Sequence, residues 1–373
     1  MNDSIRALFP VTRNYVYLNH SAVSPLSVPV RQAMTSLVND LTENGAVNYR
    51  EWQDTIDKVR ADAAKLVNAR PHEIAFMRNT SSAISTIANG IDWSAGDNVV
   101  TCNIEFPANI YPWMRLASRG VELRMAGEHD GKIDASDLLE LADERTRVIT
   151  ISWVQFSSGY RIDLARLGRF CRERGIIFVV DAIQGLGGLK LDVEACSVDA
   201  FAADAHKYLL GPEGIALLYV SDRILQRINP TDVGWMSVNE ATNYIDYDLA
   251  YRDGALRFEC GTLNTVGIYG LGAAIRLFLD HGPSTIEDYL LGLGGYLASG
   301  LEDRGYKVYG SRNPAECSAV TTCTHDRHTP FELYSRLKSK GIITAPRLGR
   351  LRISPHFYNT PGDIDLLLEA LPS

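Results

Sequence analysis

The sequence contains no apolar run long enough to cross a membrane, which takes roughly 20 consecutive apolar residues in a helix. The apolar run at residues 175–180 stops at Asp181. Residues 1–6 lack the basic and apolar regions of a signal peptide. The six cysteines form no C-x-x-C pair, so reduced thiols are expected. These absences predict a cytoplasmic protein with no membrane association.

The sequence also lacks an excess of positive charge. The 373 residues include 37 Lys and Arg against 45 Asp and Glu, which gives a net charge of −8. This balance offers no electrostatic support for binding nucleic acid or an acidic membrane. His325, Asp326 and His328 are close in sequence, but no further cluster of ligands accompanies them, and we predict no metal site.

Two phosphate-binding loops are missing as well. The pattern G-x-x-x-x-G-K-[ST] does not occur, and the glycine-rich stretch at 185–188 does not fit G-x-G-x-x-G. A nucleotide held in such a loop is therefore unsupported.

Short β-branched runs alternate with helical patterns in the first two thirds of the chain. Strands are predicted at 73–77, 98–102, 122–125, 147–153, 175–180, 200–203 and 215–220, and helices at 82–89, 108–117, 135–142 and 164–174. This alternation predicts an α/β fold, a mostly parallel sheet sandwiched by helices. After about residue 270 longer helices and two short strands indicate a smaller C-terminal α+β domain. We predict a large domain at 21–265 and a small one formed by 1–20 and 266–373.

Lys207 is the most informative residue. It lies between a buried-looking strand at 198–203 and a Gly-Pro turn at 211–212, where a solubilising charge is out of place. A buried lysine is costly unless its pKa falls or its amine is consumed chemically, as in a Schiff base. Its neighbour His206 is either a structural histidine with its hydrogen bonds satisfied or a donor to a bound phosphate.

Asp181 and Gln184 follow the apolar strand that precedes Lys207 in the chain. Asp181 is either a helix cap or a polar contact to a bound ligand. A carboxylate facing a pyridine nitrogen keeps that nitrogen protonated, so the ring can accept electrons from a neighbouring carbanion.

Two further segments follow predicted strands. Thr80 and Ser81 begin a helix, where hydroxyl residues serve as caps or bind a phosphate together with the first helical N–H groups. Phe106 lies among aromatics after the strand at 98–102, and it either fills the core or provides a flat surface for a planar ring. A phosphate site, a stacking aromatic, a ring-nitrogen acid and a Schiff-base lysine together describe pyridoxal 5′-phosphate (PLP).

From Tyr17 to Thr360 the sequence resembles the class V branch of fold-type I PLP enzymes, and the Asp181, Gln184 and His206-Lys207 motifs carry the resemblance. This family includes cysteine desulfurases, isopenicillin-N-epimerase-like proteins, kynureninases and small aminotransferases. The resemblance implies cofactor contacts for Thr80, Ser81, Phe106, Asp181, Gln184, His206, Lys207 and Thr262.

Each contact has an implied role. Lys207 would bind the cofactor and shuttle the Cα proton, and Gln184 would contact the ring hydroxyl. Thr262 resembles the segment that reaches the neighbouring subunit's phosphate, which implies a homodimer with shared sites. Arg352 would bind the α-carboxylate of a small amino-acid substrate. His20 is assigned to substrate binding and, with Tyr111 and His356, is a possible second acid.

The departures from the family narrow the reaction. Desulfurases have a histidine where this chain has Phe106, and they carry a nucleophilic cysteine on a loop that corresponds to 341–352, which has none. Cys323 lies 29 residues before Arg352 and does not match that loop, so persulfide-forming desulfuration is disfavoured. Position 204 is usually small and hydroxylated in desulfurases but is Asp204 here, which leaves its phosphate contact open.

We predict transamination, because it requires no group beyond Lys207. An α,β-elimination C–S lyase is the alternative, and an amino-acid epimerase or a catalytically idle binding protein is less favoured. Arg347 and Arg350 hint at a substrate with a second carboxylate, although arginines near a C-terminal strand are commonly surface charges.

Overall fold

A computed structural model describes residues 3–372. Its strands are β1 (Val16–Tyr17), β2 (Ile74–Met77), β3 (Asn98–Cys102), β4 (Glu122–Ala126), β5 (Thr146–Ser152), β6 (Ile177–Asp181), β7 (Ala200–Asp204), β8 (Ala216–Val220), β9 (Lys307–Tyr309), β10 (Thr321–Thr324), β11 (Ile342–Ile343), β12 (Ala345–Arg347) and β13 (Arg350–Ile353). Its helices are α1 (Asp3–Ala7), α2 (Val28–Asn44), α3 (Tyr49–Val67), α4 (Thr80–Gly90), α5 (Tyr111–Met114), α6 (Ala135–Glu140), α7 (Leu164–Arg174), α8 (Asp222–Leu225), α9 (Thr265–His281), α10 (Pro283–Glu302), α11 (Pro330–Ser339) and α12 (Pro361–Ala370).

The central sheet has seven strands in the order β2-β8-β7-β6-β5-β3-β4. Strand β8 is antiparallel to both of its neighbours, and every other adjacent pair is parallel. Side chains of β6 alternate between two cores, with Phe178 and Val180 on one face and Ile177 and Val179 on the other. Helices cover both faces, which explains why this strand is apolar along its length. The predicted α/β class with a mostly parallel sheet is confirmed.

The C-terminal part contains a four-stranded antiparallel sheet in the order β12-β13-β10-β9. A separate apolar cluster holds it against α10, α11 and α12. Strand β1 pairs with β11, so the N-terminal segment joins this part of the fold. Helix α9 packs mainly against α2 and α3. The domain boundary at 265/266 stays a prediction.

One predicted helix was wrong. The interval 108–117 contains only the short α5, flanked by 3₁₀ turns at Pro107–Asn109 and Arg115–Arg119. Pro107 and Pro112 lack the N–H that a continuous helix needs, and each stands at the start of its own short turn. The sequence analysis also missed α2, α3 and α11, although α3 buries Trp52 and Ile56 at helical spacing.

All six cysteines are free thiols. None of the helices within residues 3–372 combines the length and the apolar character needed to span a bilayer. No group of three or more potential metal ligands occurs in that part of the chain.

Candidate active site

A cavity of about 360 Å³ opens where β2, β6 and β7 end. Parallel strands bring their carboxyl ends to one edge of the sheet, where α/β proteins bind ligands. Eight of the ten predicted site residues line this cavity: Thr80, Ser81, Phe106, Asp181, Gln184, His206, Lys207 and Arg352. The two that do not are His20 and Thr262.

Lys207 follows β7 in a tight loop that buries its side chain. The Leu210 N–H donates to the Lys207 carbonyl at 3.0 Å, and the Ser24 hydroxyl donates to the same carbonyl at 2.6 Å. The Lys207 side chain is 9% exposed, and its Nζ lies 5.3 Å from the centre of the Phe106 ring. Nζ forms no hydrogen bond or ion pair with any residue from 3 to 372. Burial lowers the pKa of this amine, which favours the neutral, nucleophilic form.

Asp181 is the last residue of β6 and is 2% exposed. Its Oδ1 accepts a hydrogen bond from the Ile183 N–H at 3.0 Å. Burial raises the pKa of this carboxyl, and the nearby charge of Lys207 opposes that rise. Gln184, one turn later, donates from Nε2 to the Ser21 carbonyl at 3.1 Å.

The N-terminus of α4 supplies the predicted phosphate site. The Asn79 side chain caps the helix by accepting from the Ser82 N–H, so Thr80 and Ser81 occupy the first turn, where backbone N–H groups lack intrahelical partners. Asp204 enters the same wall, and its Oδ2 is 3.9 Å from Nδ1 of His206. Burial raises the pKa of Asp204 to about 6 and lowers the pKa of His206.

Arg352, on β13, is 2% exposed and donates from one terminal nitrogen to the Phe156 carbonyl at 3.3 Å. Burial, together with the charge of Arg347, lowers its pKa to about 10. The guanidinium remains charged at neutral pH and faces the cavity, as binding of a carboxylate requires.

The unsatisfied atoms of this wall fit PLP. Oε1 of Gln184 and Nε of Arg352 are buried without a hydrogen-bond partner among residues 3–372, and the amine of Lys207 is also free. A buried polar group without a partner is costly, and a bound molecule that supplies the partner recovers that free energy. A ring hydroxyl, a substrate carboxylate and an aldehyde are the matching groups for these three atoms.

His20 lies behind the cavity rather than in it. It is fully buried, with Nδ1 2.8 Å from the Ser354 carbonyl and Nε2 2.7 Å from the Tyr358 hydroxyl. Burial lowers its pKa to about 4. With both ring nitrogens engaged, His20 has no free group for a substrate, and this packing does not support its predicted role.

Thr262 lines a different cavity of about 210 Å³, together with Arg78 and Ser82 at the outer side of α4. This position keeps it out of its own chain's site. Its predicted reach into a neighbouring subunit stays a prediction.

Two residues of the site had no role in the sequence analysis. Phe156 lines the cavity and packs edge-to-face on Phe106 with ring centres 5.3 Å apart. Glu105, directly before Phe106 in the chain, is buried and accepts hydrogen bonds from the Gln155 side chain at 2.8 Å and from the Ser152 N–H at 2.7 Å. Its position directly before Phe106 was the only available signal, because Ser152 and Gln155 lie 47 and 50 residues away in the chain.

Residues 16–367 match the family described as "Aminotransferase class-V". The chain is 30% identical to a protein named "Probable cysteine desulfurase" from Methanothermobacter thermautotrophicus, over 99% of this chain and 97% of that protein. It is 27% identical to an uncharacterized aminotransferase of Bacillus subtilis, over 97% of this chain and 95% of that protein.

Solved structures share the fold. The apo structure of a cysteine desulfurase from Thermococcus onnurineus NA1 has a TM-score of 0.89 at 25% identity, covering 99% of this chain and 96% of that one. The cystine C–S lyase C-DES, in complex with cysteine persulfide, has a TM-score of 0.89 at 24% identity, covering 97% and 98%. The family match spans every residue of the cavity. The chain therefore belongs to the class V aminotransferase family of PLP-dependent enzymes.

Proposed function

We propose that this enzyme transaminates a small α-amino acid. The observation that carries the proposal is the buried amine of Lys207, which forms no hydrogen bond or ion pair within residues 3–372, in a cavity that Asp181 and Arg352 also line. Transamination requires one base that moves a proton, one acid that holds the cofactor ring and one cation that fixes the substrate. These three residues match that list.

When bound, PLP supplies an electron-poor ring that stabilises negative charge at the substrate Cα. Asp181 would hold a proton at the ring nitrogen, and Gln184 would contact the ring hydroxyl. Thr80, Ser81 and His206 would bind the phosphate, and Phe106 would cover the ring. Arg352 would fix the α-carboxylate and so place the substrate Cα within reach of Nζ of Lys207, which would take up the Cα proton and release it again during the transfer.

A C–S lyase is the second candidate. Relatives at 30% identity are named as cysteine desulfurases, which act on a sulfur-bearing amino acid. None of the six cysteines, all within the described part of the chain, lines the cavity. An elimination that uses Lys207 alone is therefore favoured over a persulfide route through a cysteine.

The first test concerns cofactor attachment. Borohydride reduction of the purified protein, followed by peptide mass analysis, should find the cofactor on Lys207. Lys207→Ala should lose this adduct, while Lys190→Ala, whose amine lies outside the cavity, should keep it. An adduct that survives in Lys207→Ala would overturn the assignment.

The second test separates the two reactions. Incubation of the holoenzyme with a panel of amino acids should convert the cofactor to its amine form and release a 2-oxo acid. Release of pyruvate, ammonia and sulfide from cysteine, without the amine form, would establish the lyase instead.

We also propose a homodimer in the cytoplasm, and an apolar surface supports the dimer. Tyr244, Ile245 and Tyr247 are 68%, 87% and 93% exposed, and the two tyrosines line a groove of about 550 Å³ at residues 233–250. Apolar patches of this kind commonly mark protein contacts. A cytoplasmic location fits the six free thiols.

A further inference from the structure

Three arginines share one face of the hairpin that β12 and β13 form. Arg347 pairs directly with Arg350, and Ala345 pairs with Arg352. Directly paired residues point to the same face of a sheet, as do residues two apart along a strand. Arg347, Arg350 and Arg352 therefore face the same way.

A tight turn holds this arrangement. Leu348 and Gly349 both have positive φ, 45° and 74°. Two central residues with positive φ are typical of the two-residue hairpin turn that matches the strand twist. Residues 347–350 thus set the strand register that places the three arginines. Arg347 lies at the rim of the cavity.

Only two of the three arginines line the cavity. Arg350 stacks on Tyr309 with 3.7 Å between its guanidinium carbon and the ring centre, and it lies outside the cavity lining. Arg352 lines the cavity from within, and Arg347 lines it from an exposed position at the rim. The cavity thus contains two guanidinium groups.

No acid within residues 3–372 forms an ion pair with Arg347 or Arg352. Arg347 donates only to the carbonyl of Pro346, at 3.0 Å, and Arg352 donates only to the carbonyl of Phe156. Asp181 and Asp204 also line the cavity, but neither forms an ion pair with Arg347 or Arg352. Two guanidinium groups without ion-pair partners repel each other, and a ligand that carries two negative groups stabilises both.

One negative group of such a ligand is already accounted for. This argument rests on the proposed function, in which Arg352 binds the α-carboxylate of an amino acid. Arg347 then has no partner when the substrate side chain is neutral. Because Arg352 is opposite Ala345, Arg347 is its diagonal neighbour, at a backbone separation of roughly 7–8 Å. This separation suits a short dicarboxylate, with one acid group for each guanidinium.

We propose that Arg347 is a specificity-determining residue that binds a second anionic group, and that the substrate is an α-amino acid whose side chain ends in an acid. The α-carboxylate binds at Arg352 and the distal acid binds at Arg347. Neutral amino acids of the same length make only the first contact.

The test uses unreactive acids that lack an amine. Calorimetric titration of the holoenzyme with succinate, glutarate and adipate, each against the monocarboxylate of equal length, measures the advantage of the second carboxylate. We expect at least one diacid to bind about tenfold tighter, the lower end for charged hydrogen bonds. Arg347→Gln should remove the advantage, and Arg347→Lys should restore part of it.

Arg350→Gln is the matched control, because it removes one positive charge from the same face outside the cavity. It should keep the diacid preference. Equal binding of diacids and monoacids by the wild type, or an equal loss in Arg350→Gln, would overturn the proposal.

Binding of these acids does not depend on turnover, so the two proposals fail separately. A diacid preference that depends on Arg347, with no amino acid converted, would contradict the proposed reaction and support the subsite. Conversion of amino acids with no diacid preference would support the proposed reaction and contradict the subsite.

Discussion

At the scale of single residues, the site depends on ionisable side chains that the fold holds away from water. Lys207 and Asp181 both have pKa values displaced toward the neutral form by burial. An apolar strand precedes each of these residues in the sequence, and that pattern predicted their burial. The environment of Asp204 was not predictable in the same way, because it depends on Thr80 from a distant strand end, whose hydroxyl accepts from the Asp204 N–H at 3.0 Å.

Asp204→Asn should stabilise the cofactor-free protein at neutral and alkaline pH. Burial raises the pKa of Asp204 from 3.8 to about 6, so the folded state binds its proton more tightly than the unfolded state does. Stability is therefore lost as pH rises from about 4 to about 6, by up to about 3 kcal/mol. In urea denaturation, the free energy of unfolding of the variant should exceed that of the wild type by up to about 3 kcal/mol at pH 8. The two free energies should be equal below pH 4.

The exposed Asp303, which lies outside the cavity and outside the groove at residues 233–250, provides the control, since Asp303→Asn should leave the difference between pH 4 and pH 8 as it is in the wild type. A smaller free energy of unfolding for Asp204→Asn than for wild type at pH 8 would contradict the account of Asp204.

At the scale of elements, the site is assembled by loops that meet at the ends of strands. Asp181 ends β6, the loop that follows it carries Gln184, and the loop after β7 carries Lys207. Gly187 allows them to approach, because a Cβ at this position would lie 2.1 Å from the Tyr208 carbonyl oxygen, and its φ is +99°. The sequence marked 185–188 as glycine-rich without a role, since the atom that demands glycine belongs to the other loop.

Gly187→Ala should therefore push the Lys207 loop away from the Asp181 loop. A Cβ closer than contact distance to backbone, added to a positive φ, costs at least about 1–3 kcal/mol. We expect a lower fraction of covalently bound cofactor after borohydride reduction and a lower midpoint of thermal unfolding.

Gly175→Ala is matched to this variant, because Gly175 also has positive φ, +68°, but has no atom within 4 Å of an added Cβ. It should lose about 1 kcal/mol of stability and keep its cofactor. Equal cofactor loss in both variants would show that backbone strain alone, and not the contact between loops, explains the effect.

At the scale of the whole molecule, the exposed apolar segment and the position of Thr262 support an association of two chains. The exposed side chains of Tyr244, Ile245 and Tyr247 come from one irregular stretch, whose apolar character gave no periodic signal for helix or strand.

The double variant with Ile245→Asp and Tyr247→Asp should dissociate the proposed dimer. Two carboxylates buried in an apolar interface without partners are costly, and we expect the dissociation constant to rise at least about tenfold. Sedimentation equilibrium across protein concentrations measures this change.

Phe331→Asp alters another exposed apolar side chain, on α11 and distant in sequence, and should leave the dissociation constant unchanged. A wild-type protein that sediments as a monomer at every concentration would refute the proposed dimer.

The sequence by itself determined the fold class and the main residues of the site. Buried strands such as β6 are apolar on both faces, and the motifs at Asp181 and Lys207 are short and local, so both are visible without coordinates. The irregular segment around α5 was not visible from the sequence, because its residue pattern resembles a helix that two prolines interrupt. Only the tertiary structure decided that Arg347 and Arg352 line one cavity, that His20 lies outside it and that Glu105 is buried against Ser152 and Gln155. The physical reason is that strand register, loop contact and burial join residues far apart in the chain, and those distances are absent from local sequence patterns.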